Sequence, residues 1–372
     1  MFEQIKHNVK NILGWKTNRK IVVFAVDDYG NVRVDSKSAR NAMTKAGLKI
    51  HSRFDAFDSL ENEEDLQMLY EALSSVKDQH GNHAVFTALS LPANIDFEKL
   101  REENYNSYQY ELLPETFKKL KGYERVWDLW KEGISKRFLF PQFHGREHLN
   151  IKVLNEHLKQ KDNETLISLQ NRSYTSISSR PYQNISYTAA FDFEDEQDFH
   201  LQKEIIEDGL IQFEKVFGIK SQCFNPPGGR ESEKIHQTLH NNGIKYIETP
   251  LLKREHLGRG RYKRKLYYTG KKNLFGQYFM VRNCVFEPTH EANRDWVGSC
   301  LTQIEASFRW KKPANISSHR VNFCGHIDPA NRLLGISELK KLLKEIVKRW
   351  PDVEFMTTLD LAKLIQAEYH QS

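Results

Sequence analysis

The stretch IVVFAVDDYG, residues 21–30, decides how the rest of the chain is read. Its six apolar residues run without a break and are rich in β-branched side chains. Such a run is expected of a strand buried on both faces, as in a parallel sheet. Two carboxylates and a glycine then end it. Neighbours on a strand point to opposite faces, so Asp27 and Asp28 can serve one site only where the strand is ending. Like charges this close raise each other's pKa. A cation bound to one lifts that penalty and leaves the other as a base near neutral pH. The letters DDYGN also make a good turn or helix cap, so the pair alone settles nothing.

Similar apolar runs recur along the chain: AVFTALSL (84–91), FLFPQF (138–143), YTAAFDF (187–193) and NISSH (315–319). Weaker ones are SQCF (221–224), KYIET (245–249) and VEFMTT (353–358). Pro141 predicts a short or irregular strand where it falls. Helical patterns lie between the runs. Residues 195–218 start acidic and stop at Gly218; residues 337–350 have Ser337 as a natural N-cap and Pro351 as a stop; residues 293–310 form a third. Strands alternating with helices predict a parallel sheet, and eight candidate strands in one chain predict a barrel. Two segments break the alternation. Residues 92–137 carry the aromatic clusters YNSYQYE and VWDLW, and residues 250–277 carry a basic run. Both read as insertions at the barrel rim, which makes residues 1–372 a single barrel domain.

The composition, 39% hydrophobic and 28% charged, is that of a soluble globular chain with a sizeable core. No apolar run approaches the ~20 residues that span a bilayer. The N-terminal MFEQIKHNVKNILGWKTNRK lacks the apolar centre of a signal peptide, so a cytoplasmic location is expected. Cys223, Cys284, Cys300 and Cys324 form no CxxC pair and read as reduced, buried thiols. The net charge of +6 is local: KREHLGRGRYKRK (253–265) holds seven Lys/Arg against one Glu, which leaves the remainder formally neutral. That segment is either a solvated surface or a grip on an anion, such as a polyanionic glycan, a nucleotide-linked sugar or nucleic acid.

Within FPQFHGREHLN (140–150), His144 and His148 are four apart. If a helix begins there, both imidazoles lie on one face. Two imidazoles and one carboxylate make the three-ligand protein set of a catalytic zinc site, with one position left open. In a chain with 15 histidines, two surface imidazoles are an equal reading of the spacing alone. Position adds weight. Chemistry in a parallel α/β barrel sits where strands end. Asp27 and Asp28 follow one strand, His144 follows another, and His319 closes a third.

Taken in order, VDDYG, the HxxxH of HGREH, FNPPGG (224–229) and a late strand ending in His319 resemble the polysaccharide deacetylase family (carbohydrate esterase family 4, NodB-like). The closing WPDVEFMTTLDLAKLI also resembles that family's last strand and helix, so the likeness spans about residues 20–365. The resemblance implies an α/β fold: an irregular (β/α)7–8 barrel of the glycoside hydrolase/deacetylase type with rim insertions. It implies Asp27 as general base, His319 as general acid, and Asp28, His144 and His148 as ligands of one divalent metal. Zinc suits that ligand set best, with cobalt, nickel, iron and manganese as other candidates. The Gly228 N–H would face the developing oxyanion. Asn225 stands where the family has the Arg that orients the base, and Arg230 and Arg294 are candidates to replace it. RDWVG (294–298) stands in for the family's Asp-Trp motif, with Trp296 packing at the substrate rim.

The implied activity is removal of acetyl groups from an N-acetylated sugar or polysaccharide precursor, and the expected cytoplasmic location favours a nucleotide- or lipid-linked sugar. Two alternatives stand beside it. One is a carbohydrate-binding relative that has lost turnover. The other is a metal hydrolase of phosphoesters, ranked lower because such sites often hold two metals and a single metal set is visible. Nucleic acid is not an expected partner. Asp192 and Glu194 read as a strand-to-helix turn, and Asn322, His326, Asp328, Asn331 and Arg332 as loop residues without a role.

Overall fold

A computed structural model describes residues 7–182, 185–291 and 293–371. Residues 1–6 of the polar N-terminal segment lie outside the described residues. The run that opens the argument becomes β1, Lys20–Tyr29. In chain order there follow β2 (Phe86–Ser90), β3 (Leu139–Phe143), β4 (Cys223–Phe224), β5 (Tyr246–Thr249), β6 (Tyr278–Val281), β7 (Cys284–Val285), β8 (Ala314–His319) and β9 (Val353–Met356). They form one sheet in the order β6-β5-β4-β3-β2-β1-β8-β7, and every pairing in it is parallel. β8 pairs with β1 from Val22 to Asp27, while β9 pairs with it from Lys20 to Val23. Val22 and Val23 pair with both, so β9 lies on the opposite edge, beside the start of β1.

The two ends of this sheet are consecutive in the chain. β6 and β7 run in the same direction and are separated only by Arg282 and Asn283. Two residues cannot return a chain for a parallel crossover, which takes a dozen or more. β6 and β7 are therefore one extended run that changes partner midway, from β5 to β8. This closes the sheet into a barrel of the expected irregular (β/α) type, and Arg282 sits at the change of partner.

The period of two along the staves explains how the barrel interior is filled. Ile21 and Val23 of β1, Tyr246 of β5 and Tyr278 and Met280 of β6 form one apolar cluster with Leu359, Leu361, Ala362 and Ile365. The last four belong to the C-terminal helix Thr358–Gln371, which packs under the barrel. The alternate residues of β1, Val22, Phe24 and Val26, join the larger core between staves and outer helices. Further along, the same face of β1 reaches Asp27, that of β5 reaches Glu248, and that of β6 reaches Arg282. An apolar floor thus gives way to a charged upper interior at the C-terminal strand ends.

Several expectations are corrected here. YTAAFDF (187–193) is no strand. Ala189 N donates to Ser186 O, Asp192 N donates to Ala189 O, and the Asp192 carboxylate accepts from Ser186 N, so local turns take the bonds a ladder would need. Its place among the staves belongs to the unpredicted YFMVRNCV. HGREH does not start a helix: Gly145 has φ +119°, and the helix begins at Ile151 with Asn150 as its cap. The helix assigned to 337–350 runs from Pro329 to Arg349 and is capped by Asp328, not Ser337. Residues 92–137 hold the strand pair Ala93–Ile95 and Tyr110–Leu112 and three helices; residues 250–277 hold an antiparallel hairpin, Leu252–His256 with Tyr262–Leu266. All four cysteines are free and buried. Among the described residues, no helix is long and apolar enough to cross a membrane.

Candidate active site

A cavity of about 530 Å³ opens at the C-terminal ends of the staves. Asp27, Asp28, His144, His148, Asn225, Gly228 and His319 all line it. Trp296 does not; its indole donates to Glu291 O at 3.3 Å, and Arg294 lies over the ring at 4.2 Å. Asp295 caps the helix that follows.

Strand parity alone would turn Asp28 out of the barrel. The register between β1 and β2 shifts between Val26 and Tyr29, and Asp28 takes φ +77°. A bulge of this kind re-aims a side chain, and a positive φ is uncommon for residues other than glycine. Both carboxylates thereby reach the same cavity.

Asp28 Oδ1 lies 3.3 Å from His144 Nε2 and 3.0 Å from His148 Nε2. All three side chains are buried, with their ligand atoms within 4.8 Å of one another. His144 Nδ1 lies 2.8 Å from the carbonyl oxygen of Asn225. A carbonyl only accepts, so Nδ1 carries the proton and a neutral His144 turns the lone pair of Nε2 toward Asp28. Two acceptors face each other there, and a cation between them removes the conflict. A tetrahedral ion with bonds of about 2.0–2.1 Å sets its ligand atoms about 3.3 Å apart, close to the spacing seen. The donor set fits a divalent metal. Burial pushes the Asp28 carboxyl up, but imidazoles that carry a proton toward it, as a cation would its charge, outweigh burial and hold the group well below its ordinary range.

Asp27 has different partners. Arg282 Nη1 donates to Asp27 Oδ2 and Nη2 to Oδ1, each at 2.7 Å. The same guanidinium donates through Nε to Glu248, whose other oxygen accepts from Thr358 Oγ1 at 2.8 Å. Burial raises the Asp27 pKa, yet Arg282 outweighs it, and the carboxyl stands below its usual value. Neither member of the acidic pair therefore stands above its usual value, because cationic neighbours outweigh any mutual repulsion. Arg282 also answers the question posed by Asn225. Arg230 is engaged with Asp192 at 2.9 Å, and Arg294 is exposed beside Trp296, so neither orients Asp27. With its amide oxygen turned to the guanidinium, Asn225 accepts from Arg282 and steadies it.

His319 closes the cavity opposite. Its Nδ1 pairs with Glu287 Oε1 at 2.6 Å, and its Nε2 faces Asp27 Oδ2 at 3.7 Å. Burial lowers the imidazole pKa, but Glu287, Asp27 and Asp28 outweigh it and push it up to about 9. Glu287 is fixed in turn by Asn322 Nδ2 at 2.7 Å and Arg53 Nη2 at 2.5 Å. Asn322, read as a loop residue, thus positions the partner of His319.

Arg282, Glu248 and Glu287 escaped the sequence reading. A signal existed for the first: Tyr278, Met280 and Arg282 alternate along one face. Glu287 lies beyond β7 with no pattern to mark it. A second group of carboxylates, Asp96, Glu98 and Glu111, surrounds the Lys119 ammonium, which bonds to all three and fills the space a metal would need.

Fold and strand ends together define a parallel α/β barrel with a charged cavity at the C-terminal ends of its staves. No family model matches the chain, and no curated protein does. Among solved structures, it is similar to a Mycobacterium smegmatis protein put forward as a polysaccharide deacetylase, at 12% identity over 96% of this chain and 94% of that one, with a TM-score of 0.44. It is similar to a Pseudomonas aeruginosa PAO1 protein put forward as the same, at 8% identity over 93% and 91% of the two chains, TM-score 0.44. A third is Puue allantoinase, at 12% identity over 94% and 91%, TM-score 0.42. Likeness at this level leaves the chemistry to be argued from the residues themselves.

Proposed function

We propose that this protein is a metal-dependent hydrolase that removes acetyl groups from an N-acetylated sugar or polysaccharide precursor. One observation carries the reading: a metal-ready triad, a pinned carboxylate and a raised imidazole face one cavity from the ends of three staves, β1, β3 and β8. A divalent ion held by Asp28, His144 and His148, zinc first among the candidates, would polarise the acetamide carbonyl and acidify a water.

The chain's own residues supply the proton transfers. Asp27 is ionised at neutral pH and fixed in orientation by Arg282, so it takes the proton of the attacking water. The new C–O bond forms as the carbonyl becomes an oxyanion, which the Gly228 N–H is assigned to receive; one such donor is typically worth about 3–4 kcal/mol. His319 is protonated below about pH 9 and delivers its proton to the amine as the C–N bond breaks. Acetate and a free amino sugar result. Trp296, which does not line the cavity, takes no part.

Acetate release from N-acetylated oligosaccharides by the zinc-loaded protein is the test. Equimolar acetate and free amine, lost in Asp27→Asn, support the reading. No release from neutral, uronate-containing or nucleotide-linked N-acetyl sugars would overturn it.

A further inference from the structure

A second cavity, of about 550 Å³, adjoins the first, and Ser176 and Thr188 line both. Ser176 is fixed as the shared wall: its hydroxyl accepts from Arg33 Nη2 at 2.8 Å and its N–H donates to Asp55 Oδ1 at 3.1 Å. The two cavities differ in charge. Four carboxylates line the first, Asp27, Asp28, Glu231 and Glu248. Among the described residues none lines the second, whose charged groups are Arg230 and Arg254, set among the hydroxyls of Ser178, Ser179 and Ser186.

The two arginines have different histories. Arg230 spends one Nη on the buried Asp192 carboxylate at 2.9 Å. Arg254 is exposed, lies over the Tyr262 ring at 4.5 Å, and has no carboxylate partner among the described residues. It belongs to the basic hairpin, where the register sets Lys253 against Lys265 and Arg254 against Arg264. Cations directly opposite one another on a hairpin are destabilising. Lys253 and Lys265 are compensated: Lys253 is buried against Glu231 and Glu255, and Lys265 pairs with Glu233 at 2.5 Å. The Arg254–Arg264 pair has no such compensation among the described residues, and Arg254 is the member that reaches the second cavity.

The geometry points to an anion subsite in this second cavity, built on Arg254 with Arg230 behind it, that receives a carboxylate or phosphate group attached to the sugar being processed. Guanidinium groups recognise both oxyanions through paired N–H donors. The inference rests on the reading of the first cavity as the deacetylation site. It assigns the substrate as acidic: its N-acetyl group lies at Asp28 and its negative charge lies across the Ser176–Thr188 wall. The charge can come from a neighbouring uronate in a glycan or from the phosphates of a nucleotide-linked sugar.

Equilibrium binding to the metal-loaded protein separates these cases, measured calorimetrically at low ionic strength with three probes. They are diacetylchitobiose, which is neutral; a glucuronate–N-acetylglucosamine disaccharide; and UDP-N-acetylglucosamine. At least one acidic probe is expected to bind about tenfold more tightly than the neutral one, with the advantage falling steeply as salt is added. Arg254→Ala should abolish that advantage and leave diacetylchitobiose unchanged, and Arg254→Lys should restore part of it. The probe that shows this dependence identifies the source of the charge. Equal affinity for all three probes, or an acidic preference that survives Arg254→Ala, would overturn the subsite. Acetate release is scored separately: an Arg254-dependent preference without any release keeps the anion site and discards the deacetylase reading.

Discussion

The Asp28 side of the cavity and the Asp27 side begin one residue apart and end in opposite electrostatic conditions. Asp28 faces two imidazoles, each with its Nε2 toward the carboxylate. Asp27 faces a guanidinium through two bonds of 2.7 Å, with the raised imidazole of His319 beyond. A guanidinium cannot give up its charge, so Asp27 is already neutralised by a permanent cation. A metal ion gains little by approaching it. Asp28 has only groups that can themselves ligate, so a metal ion completes that side. The bulge at Val26–Tyr29 and the positive φ of Asp28 make this division possible, since a regular strand would send the second carboxylate out of the barrel.

The largest test of the division is Asp27→Asn. Losing the base should lower kcat about 10²–10⁴-fold in a steady-state acetate assay. His319→Ala should fall in the same range, with kcat changed far more than KM; unchanged activity would remove His319 from the mechanism. Arg282→Met comes next. It strands the buried carboxylates of Asp27 and Glu248, a change of the kind that costs about 3–5 kcal/mol, readable as a lower urea midpoint. It should also move the acid limb of the pH–rate profile upward. Arg282 holds the Asp27 pKa below its ordinary value, so without it the carboxyl takes up a proton at a higher pH. A limb that stays in place would break the link between Arg282 and the base.

Glu287→Gln is the subtler case. His319 is raised to about 9 chiefly by Glu287, so the protonated acid persists below that pH and is lost above it. With the carboxylate removed, the basic limb should retreat toward ~6.5, the ordinary imidazole value. Activity near pH 6 should change least. The smallest effect is expected at Asn225→Ala, which removes a neighbour of Arg282 and leaves both of its bonds to Asp27 intact. A kcat loss under about tenfold fits that indirect role.

What could be read from the chain beforehand follows from how locally each feature is written. β1 is legible because a stave buried on both faces must be continuously apolar. His144 is legible because it immediately follows such a run, His319 because it closes one, and His148 because it is spaced four from His144. YTAAFDF is similarly apolar, yet Asp192 and the turn bonds around it settle its shape, and apolar content alone does not separate the two outcomes. The true stave, YFMVRNCV, is broken by Arg282 and Asn283 and splits its pairing between two partners, so no single window looks like a strand. For the Arg that orients Asp27, the sequence offers Arg230 beside FNPPGG and Arg294 farther along the chain. Barrel closure brings Arg282 to Asp27 from the other end of the sheet order instead. Glu287 is legible only once β7 and β8 are known to be neighbours.

The division between the two carboxylates is tested most directly by metal content. Elemental analysis would be run on the wild type, Asp27→Asn and Asp28→Asn, each purified and exposed to zinc in the same way. About one divalent ion per chain in the wild type and in Asp27→Asn, with none in Asp28→Asn, is the predicted result. Equal loss in both variants, or a wild type that holds no metal, would contradict it.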